Sequence, residues 1–418
     1  MSALAGTPTL PRTADRRLMT WLFILNGALM TCYAGFIVIF IPDQIQQLDA
    51  AHKVGNLAIV STVSSIGAII IHPVIGALSD RTRSRFGRRT PWLVLGAGTA
   101  AVFMVMLSAS TQLWTITLFY LLVSLALNAL ATAQSAVVPD RLPRERFGAA
   151  SGMLAMGAFI GMGLGVAGAG FFANSIGVGY PVFGAFILVA AILFVVFNRD
   201  FSSRELAVPP FRWKEFLSGF WVSPRRHPDF WWAFAGRFLL ILAYQSVQSY
   251  LLYILRDYIG VSDAASTALS TPLTAVMLVG ALVTAFVTGK MSDRLDRRKL
   301  FVIIASVIMG AALVIPLIFP TVGGMFALAG VFGLGYGIYL SVDAALMTEV
   351  LPRSGDTATA AAKDLGILNV ATTLPQALTP LVVWALIAMT GSYVAVFTAG
   401  IVFALLGALS VLPIKSVR

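Results

Sequence analysis

Long apolar runs recur along the chain, separated by short polar breaks. Twelve of them reach the ~20 residues that a membrane-crossing helix needs. They lie at 18–41, 55–79, 92–110, 113–138, 148–172 and 177–198, then at 230–255, 265–289, 300–319, 322–347, 365–390 and 392–413. The runs are continuous rather than alternating, which excludes a transmembrane β-barrel. Twelve buried helices of a soluble protein would find too little polar surface to cover them. The pattern therefore predicts an all-α membrane protein of twelve transmembrane helices. Residues 1–17 carry arginines but no apolar stretch of their own, so no cleavable signal peptide is expected.

Charge adds orientation. Of the 29 Lys and Arg residues, 26 fall in one alternate set of connections: the N-terminus, 81–89, 141–146, 199–229, 290–299, 353–363 and the C-terminus. The opposite connections hold only Lys53 and Arg256. The positive-inside rule puts both termini and the long central loop in the cytoplasm. The net charge of +11 is thus a topology signal, and no nucleic-acid partner is expected from basic residues scattered over seven short segments. Hydrophobic residues at 58% and charged ones at 11% agree with a multi-pass protein of the plasma membrane, in a bacterium the inner membrane. One cysteine, Cys32, rules out an intrachain disulfide, and three scattered histidines make a metal cluster unexpected. There is no nucleophile–base set and no GxxxxGK[ST] loop, so neither an enzyme nor an ATP-driven pump is expected, and no cofactor.

The chain also repeats itself. Residues 76–81 read GALSDR after span 2, and 289–294 read GKMSDR after span 8, an offset of 213. PDRLPR at 139–144 and TEVLPR at 348–353 are offset by 209. Equal topology at half-chain spacing predicts a parallel repeat of two six-helix bundles, 1–198 and 230–418. Between them, the linker 199–229 carries Phe211, Trp213, Phe216, Leu217, Phe220 and Trp221 at helical spacing, so a short interfacial helix is expected there.

Six-plus-six topology with GxxxDR after spans 2 and 8 resembles the major facilitator superfamily over the whole chain. The long form Pro73–Trp92, with five residues between the Asp80-Arg81 pair and Gly87-Arg88-Arg89, is similar to sucrose/proton symporters and the wider glycoside–cation symporter group. Asp343–Glu349 and Lys363–Asn369 resemble bacterial members of that branch. The resemblance implies a monomeric secondary transporter that moves a small molecule, a sugar, across the lipid bilayer with a proton as coupling ion. A drug or metabolite exporter of the same fold is the alternative. It further implies that spans 1, 4, 7 and 10 line a central cavity. It also implies a cytoplasmic latch in which Asp80 meets nearby arginines and the start of span 11, with Arg81, Gly87, Arg88 and Arg89, and with Asp293, Arg294 and Asp364 in the other half. Drug/proton antiporters of the superfamily carry a GxxxGP signature in span 5, where this chain has Met162 in the proline position.

With these boundaries only Arg237 and Asp343 are charges inside spans. An isolated charge there costs about 2.5–3.5 kcal/mol, so such residues mark function by default. Both lie near the same membrane surface, roughly 10 Å and 6 Å deep at 1.5 Å per residue, so pairing is expected. Asp343 is the candidate proton carrier and Arg237 its partner, with Asp140, Glu349 and Asp364 as rival carboxylates at span ends. Span 2 holds no acid, which disfavours sodium. Subtracting the repeat offsets puts Gln134 at the position equivalent to Asp343 and Asn26 near that of Arg237. A polar substrate could use Asn26, Asn128, Gln134, Tyr244, Gln245, Gln248, Tyr339, Asn369 and Gln376, since sugars need amide and hydroxyl partners and a flat aromatic face. Glycines spaced by four in span 5 (Gly157, Gly161, Gly165) predict close helix packing.

Overall fold

The computed structural model describes residues 12–204, 224–225, 227–295, 297–350 and 358–414. The interfacial helix expected in the linker falls at 205–223, outside the described residues. Among those described, the fold is all-helical, with twelve helices long and apolar enough to cross a membrane. These are α1 (Arg16–Leu48), α2 (Lys53–Arg81), α3 (Thr90–Ser108), α4 (Leu113–Arg141), α5 (Phe147–Phe171) and α6 (Ala173–Phe197). The second set is α7 (Pro228–Gln248), α8 (Asp263–Thr288), α9 (Arg298–Ile318), α10 (Val322–Asp343), α11 (Val370–Thr390) and α12 (Val394–Val411). Large side chains such as Leu95, Val105, Phe286 and Leu405 are exposed on their outer faces, as a lipid-facing surface requires.

The first span is longer than its apolar run suggests. It passes through a π-helical turn, Phe36–Phe40, and continues to Leu48. It thereby takes in Asp43, which is buried, so Arg237 and Asp343 are not the only acidic or basic residues inside a span. The extra residue of the π turn redirects the helix. Phe36 and Phe40 then pack on Tyr180 of α6, with ring centroids 5.3 and 4.9 Å away.

Internal contacts divide the chain into two compact units, Met1–Gln44 with Gly67–Pro209, and Ile45–Ile66 with Pro210–Arg418. In the first unit α1 packs on α5 and α6, and α3 on α4 and α6. In the second, α7 packs on α11 and α12, and α9 on α10 and α12. The same four pairings, shifted by six helices, are the structural form of the sequence repeat. Glycine makes the close approaches possible. A methyl group on Gly161 or Gly165 would strike the backbone carbonyl of Gly27 or Thr31 on α1. Gly333 and Gly337 of α10 stand in the same relation to Met277 and Ala281 of α8.

Candidate functional site

The second unit brings its two intramembrane charges together. α7 carries Arg237, α10 carries Asp343, and Arg237 Nη1 lies 3.1 Å from Asp343 Oδ2. Arg237 Nη2 also donates to Thr372 Oγ1 of α11 at 2.7 Å. Asp343 is only 5% exposed. Tyr336, Tyr339 and Asp343 recur at i, i+3 and i+7, which places them on one face of α10. Tyr244, two turns beyond Arg237 on α7, stacks on Tyr336 with centroids 4.2 Å apart and planes 6° from parallel. Phe332 extends the ladder at 6.2 Å from Tyr244, and Tyr339 lies 6.4 Å from Tyr336. The ion pair thus sits beside a wall of aromatic faces.

Other predicted substrate residues of this unit are placed differently. Gln248 and Tyr244 line a cavity of about 30 Å³ bounded mostly by apolar side chains, among them Leu273, Met277 and Phe332. That is room for about one water, not for a sugar ring. Gln245, although three residues from Gln248, does not line it. Gln376 is half-buried on α11. The side chain of Asn369 lies outside the description, and Thr372 is an α11 side chain that meets Arg237.

In the first unit the residues at the equivalent positions also meet. Gln134 Nε2 of α4 donates to Asn26 Oδ1 of α1 at 3.2 Å, and Asn26 Nδ2 donates to the Leu154 carbonyl of α5 at 2.7 Å. Repeat arithmetic alone had put these two residues at the positions of Arg237 and Asp343. Asn128 departs from expectation. Its amide donates to the Ser124 carbonyl of its own helix at 2.8 Å, so that donor is occupied within α4.

The arginine-rich end of the first unit is a network centred on Asp140. Arg88 forks onto both oxygens of this carboxylate, with Nε 3.0 Å from Oδ2. Arg89 Nε reaches the same Oδ2 at 2.8 Å, and its other nitrogens reach Asp80 and Ser79. Burial alone would lower the Arg89 pKa, but Asp140 and then Asp80 more than offset it and hold the pKa above its ordinary value. Asp80 is the exposed member, at 51% of its side chain, against 16% for Asp140. Sequence reasoning centred the latch on Asp80 and named Asp140 only as a rival to Asp343 for the proton; in the structure Asp140 is the carboxylate that both Arg88 and Arg89 reach, and Asp80 meets Arg89. Arg81 is half-buried at the same end. The start of span 11 expected to meet Asp80, at about residue 365, lies within the helix Ala358–Thr390, but its side chains as far as residue 369 are outside the description, as are those of Asp293, Arg294 and Asp364.

Asp200, which the sequence reading passed over, closes this network. Gly87 holds a φ of +89°, and a methyl group there would strike the Asp200 carboxylate. Burial pushes the Asp200 pKa up, while Arg141 and the backbone N–H groups of Phe201 and Arg89 pull it down. Ser203 continues the clasp: its N–H donates to the Ser84 carbonyl at 3.0 Å and its hydroxyl to the Thr82 carbonyl at 2.8 Å. No linear pattern marks Asp200, because it lies past the last apolar residue of α6.

The two cations predicted for the opposite side each have an acid. Lys53 Nζ lies 2.6 Å from Asp257, which also accepts from Tyr393 Oη at 2.7 Å, and Arg256 Nε lies 3.0 Å from Asp263. Among the described residues there is no group of three or more His, Cys, Asp or Glu that could hold a metal.

A family model described as Major Facilitator Superfamily matches residues 19–362 and 252–417. The chain is 30% identical over 309 residues to multidrug resistance protein MdtG of Klebsiella pneumoniae (strain 342), covering 72% of this chain and 70% of that one. It is 28% identical over 81 residues to the lactose permease of Leuconostoc lactis, but that covers only 19% of this chain and 13% of the permease. A crystal structure of a mutant nucleoside transporter NupG superposes with a TM-score of 0.72 at 13% identity, covering 95% of this chain and 98% of that one. At that identity the likeness concerns the fold alone.

Proposed function

Because the chain belongs to the Major Facilitator Superfamily, and is thus a multi-pass membrane transporter, we propose that it moves a small polar solute, a sugar or glycoside, by proton-coupled alternating access. The observation that carries this reading is the buried Arg237–Asp343 pair at 3.1 Å. In this mechanism the ionised Asp343 holds Arg237. A proton on the carboxylate cancels its charge, weakens the pair and frees the guanidinium to donate to substrate oxygens, with Thr372 keeping the side chain in place. The aromatic faces of Tyr244, Tyr336 and Tyr339 suit the apolar face of a sugar ring. Return of the proton to the other side restores the pair. One proton crossing 100 mV supplies about 2.3 kcal/mol, enough for roughly 50-fold accumulation at 1.36 kcal/mol per decade. The network of Asp80, Arg88, Arg89 and Asp140 is the cytoplasmic latch of the cycle in this reading.

The test is Asp343→Asn in proteoliposomes. The amide keeps shape and hydrogen bonding but cannot cycle a proton. Uphill uptake should be lost while substrate exchange persists. Full accumulation by the variant sinks the mechanism and moves the search to Asp140, Glu349 and Asp364. The multidrug resistance relatives favour a second reading, export of a drug or metabolite in exchange for protons. Substrate-dependent alkalinisation outside vesicles supports import, and extrusion of dye supports export.

A further inference from the structure

The arginine-rich end of the first unit carries cations that neither the latch nor the transport site uses. Arg16 and Arg17 open α1, and both are exposed. Arg199, also exposed, stands two residues past the end of α6. Its backbone is held by Arg141, which donates to the Asn198 carbonyl at 2.9 Å and to the Arg199 carbonyl at 3.0 Å. Among the described residues none of Arg16, Arg17 and Arg199 is in an ion pair. One turn into α1, Trp21 stacks on Phe197 of α6, with centroids 4.8 Å apart and planes 14° from parallel. The Arg17 guanidinium lies 5.9 Å from the centroid of the same Phe197 ring. About a turn deeper, α1 exposes Ile24 and α6 exposes Leu193. Arg17, Trp21 and Ile24 recur at i, i+4 and i+7, so they share one face of α1.

We propose that this seam between α1 and α6 is a binding site for an anionic phospholipid of the cytoplasmic leaflet. From the helix ends inward the seam reads charged, aromatic, then aliphatic. A phospholipid has the same order: phosphate, ester region, acyl chain. Guanidinium groups take phosphate oxygens in pairs of charge-assisted hydrogen bonds, which an exposed arginine without an acid is free to make. Aromatic rings settle at the level of the headgroups and esters. The stacked Trp21–Phe197 pair bridges the two helices at that level and gives Arg17 a fixed ring to lie over. The positive-inside rule puts this end in the cytoplasm, where the leaflet carries anionic lipids and each arginine near its surface gains about fivefold in binding. A zwitterionic lipid brings its own cation to the same arginines and forfeits that gain. The site lies wholly within the first unit and is independent of how transport is coupled.

The test is a lipid titration of the purified full chain in detergent, read by native mass spectrometry as the dissociation constant of the first bound lipid. Phosphatidylglycerol should bind more tightly than phosphatidylcholine of the same acyl chains. Arg17→Gln should weaken phosphatidylglycerol about fivefold and Arg16→Gln/Arg17→Gln about 25-fold, with phosphatidylcholine unchanged. Arg17→Lys keeps the charge and should retain most of the affinity, so a loss in Arg17→Gln reports charge rather than folding. Arg297 is exposed at the start of α9 in the second unit, and Arg297→Gln should leave the first lipid in place. Glycerol 3-phosphate at millimolar concentration should not displace phosphatidylglycerol, because it lacks the acyl chain that the seam takes. Equal binding of the two lipids, or an Arg297→Gln loss as large as that of Arg17→Gln, overturns the site and leaves only a diffuse basic surface. Displacement by glycerol 3-phosphate overturns the lipid assignment in favour of a soluble anion.

Discussion

Separating the two charges of the second unit gives the sharpest prediction. At 3.1 Å and an effective dielectric constant of about 20, the attraction between unit charges is about 5 kcal/mol. Breaking a buried pair by removing one partner costs about 3–5 kcal/mol, while removing both is near neutral. The two single variants should nevertheless behave differently. In Arg237→Gln, Asp343 can escape its isolation by taking a proton. Holding a carboxyl of ordinary pKa about 3.9 neutral costs about 4 kcal/mol at pH 7 and about 1.5 kcal/mol at pH 5. The folded variant then binds a proton that the unfolded chain does not, so its stability rises as pH falls. In Asp343→Asn, Arg237 cannot shed its charge, but it keeps Thr372, and its deficit should be flat over the same range. Unfolding titrations with SDS in mixed micelles at about pH 7 and pH 5 measure all four proteins. The Arg237→Gln deficit should shrink by about 2–3 kcal/mol on acidification, and the double variant should recover most of the loss. Additive single losses, or an Arg237→Gln deficit independent of pH, would refute the pairing energetics.

Three further outcomes follow from packing and charge. Gly87→Ala should cost at least about 1–2 kcal/mol, because its φ of +89° disfavours a side chain and the methyl group displaces Asp200; thermal unfolding in detergent reads it. Asp200→Asn should match or exceed the wild type at pH 7. Burial raises the pKa of Asp200 above its unfolded value, so its contribution is full below the ordinary carboxylate range and is lost as pH rises through the raised value. The difference between variant and wild type should fade in a series of melts carried toward pH 4, and a variant markedly less stable at pH 7 would contradict the assignment. Gly161→Ala should force α1 and α5 apart and cost about 1–3 kcal/mol, seen as a lower melting temperature by fluorescence-detected size exclusion, whereas the same change at Gly177, which has open space around it, should be silent.

Much of this was legible in the sequence because a membrane makes few demands and enforces them strictly. A run of about 20 apolar residues has one low-energy fate in hydrocarbon, a helix with its backbone satisfied internally. That is why the twelve spans read directly. Arg237 and Asp343 could be paired from depth because a charge in hydrocarbon must find a partner. What the sequence hid has the opposite physics. Asp43 entered a span because a π turn carried α1 beyond its apolar run. Asn128 looked like a ligand group, yet it bonds one turn back on its own helix, a local choice that no pattern distinguishes. Asp140 and Asp200 sit at water-facing ends, where loop geometry rather than burial decides which arginine reaches which acid. The ladder of Tyr244 and Tyr336 needs two helices at a known crossing, which periodicity on either one does not supply.

The repeat explains why equivalent positions meet, and chemistry explains why they differ. Asn26 and Gln134 meet in the first unit as Arg237 and Asp343 meet in the second, each pair tied to a third helix, at Leu154 and at Thr372. The shared element is therefore a backbone geometry that brings the first and fourth helix of a unit together at one level. An amide pair at that level is a neutral contact worth about 1 kcal/mol, and pH leaves it unchanged. A carboxylate and a guanidinium in the same place form a contact that one proton can break. Duplication of the geometry with different side chains leaves a fixed fastening in one unit and a switchable one in the other. Neither replacing the ion pair by amides nor the reverse would need a change of fold, so at this level the side chains at these four positions, rather than the arrangement of helices, decide whether a single proton can break the contact.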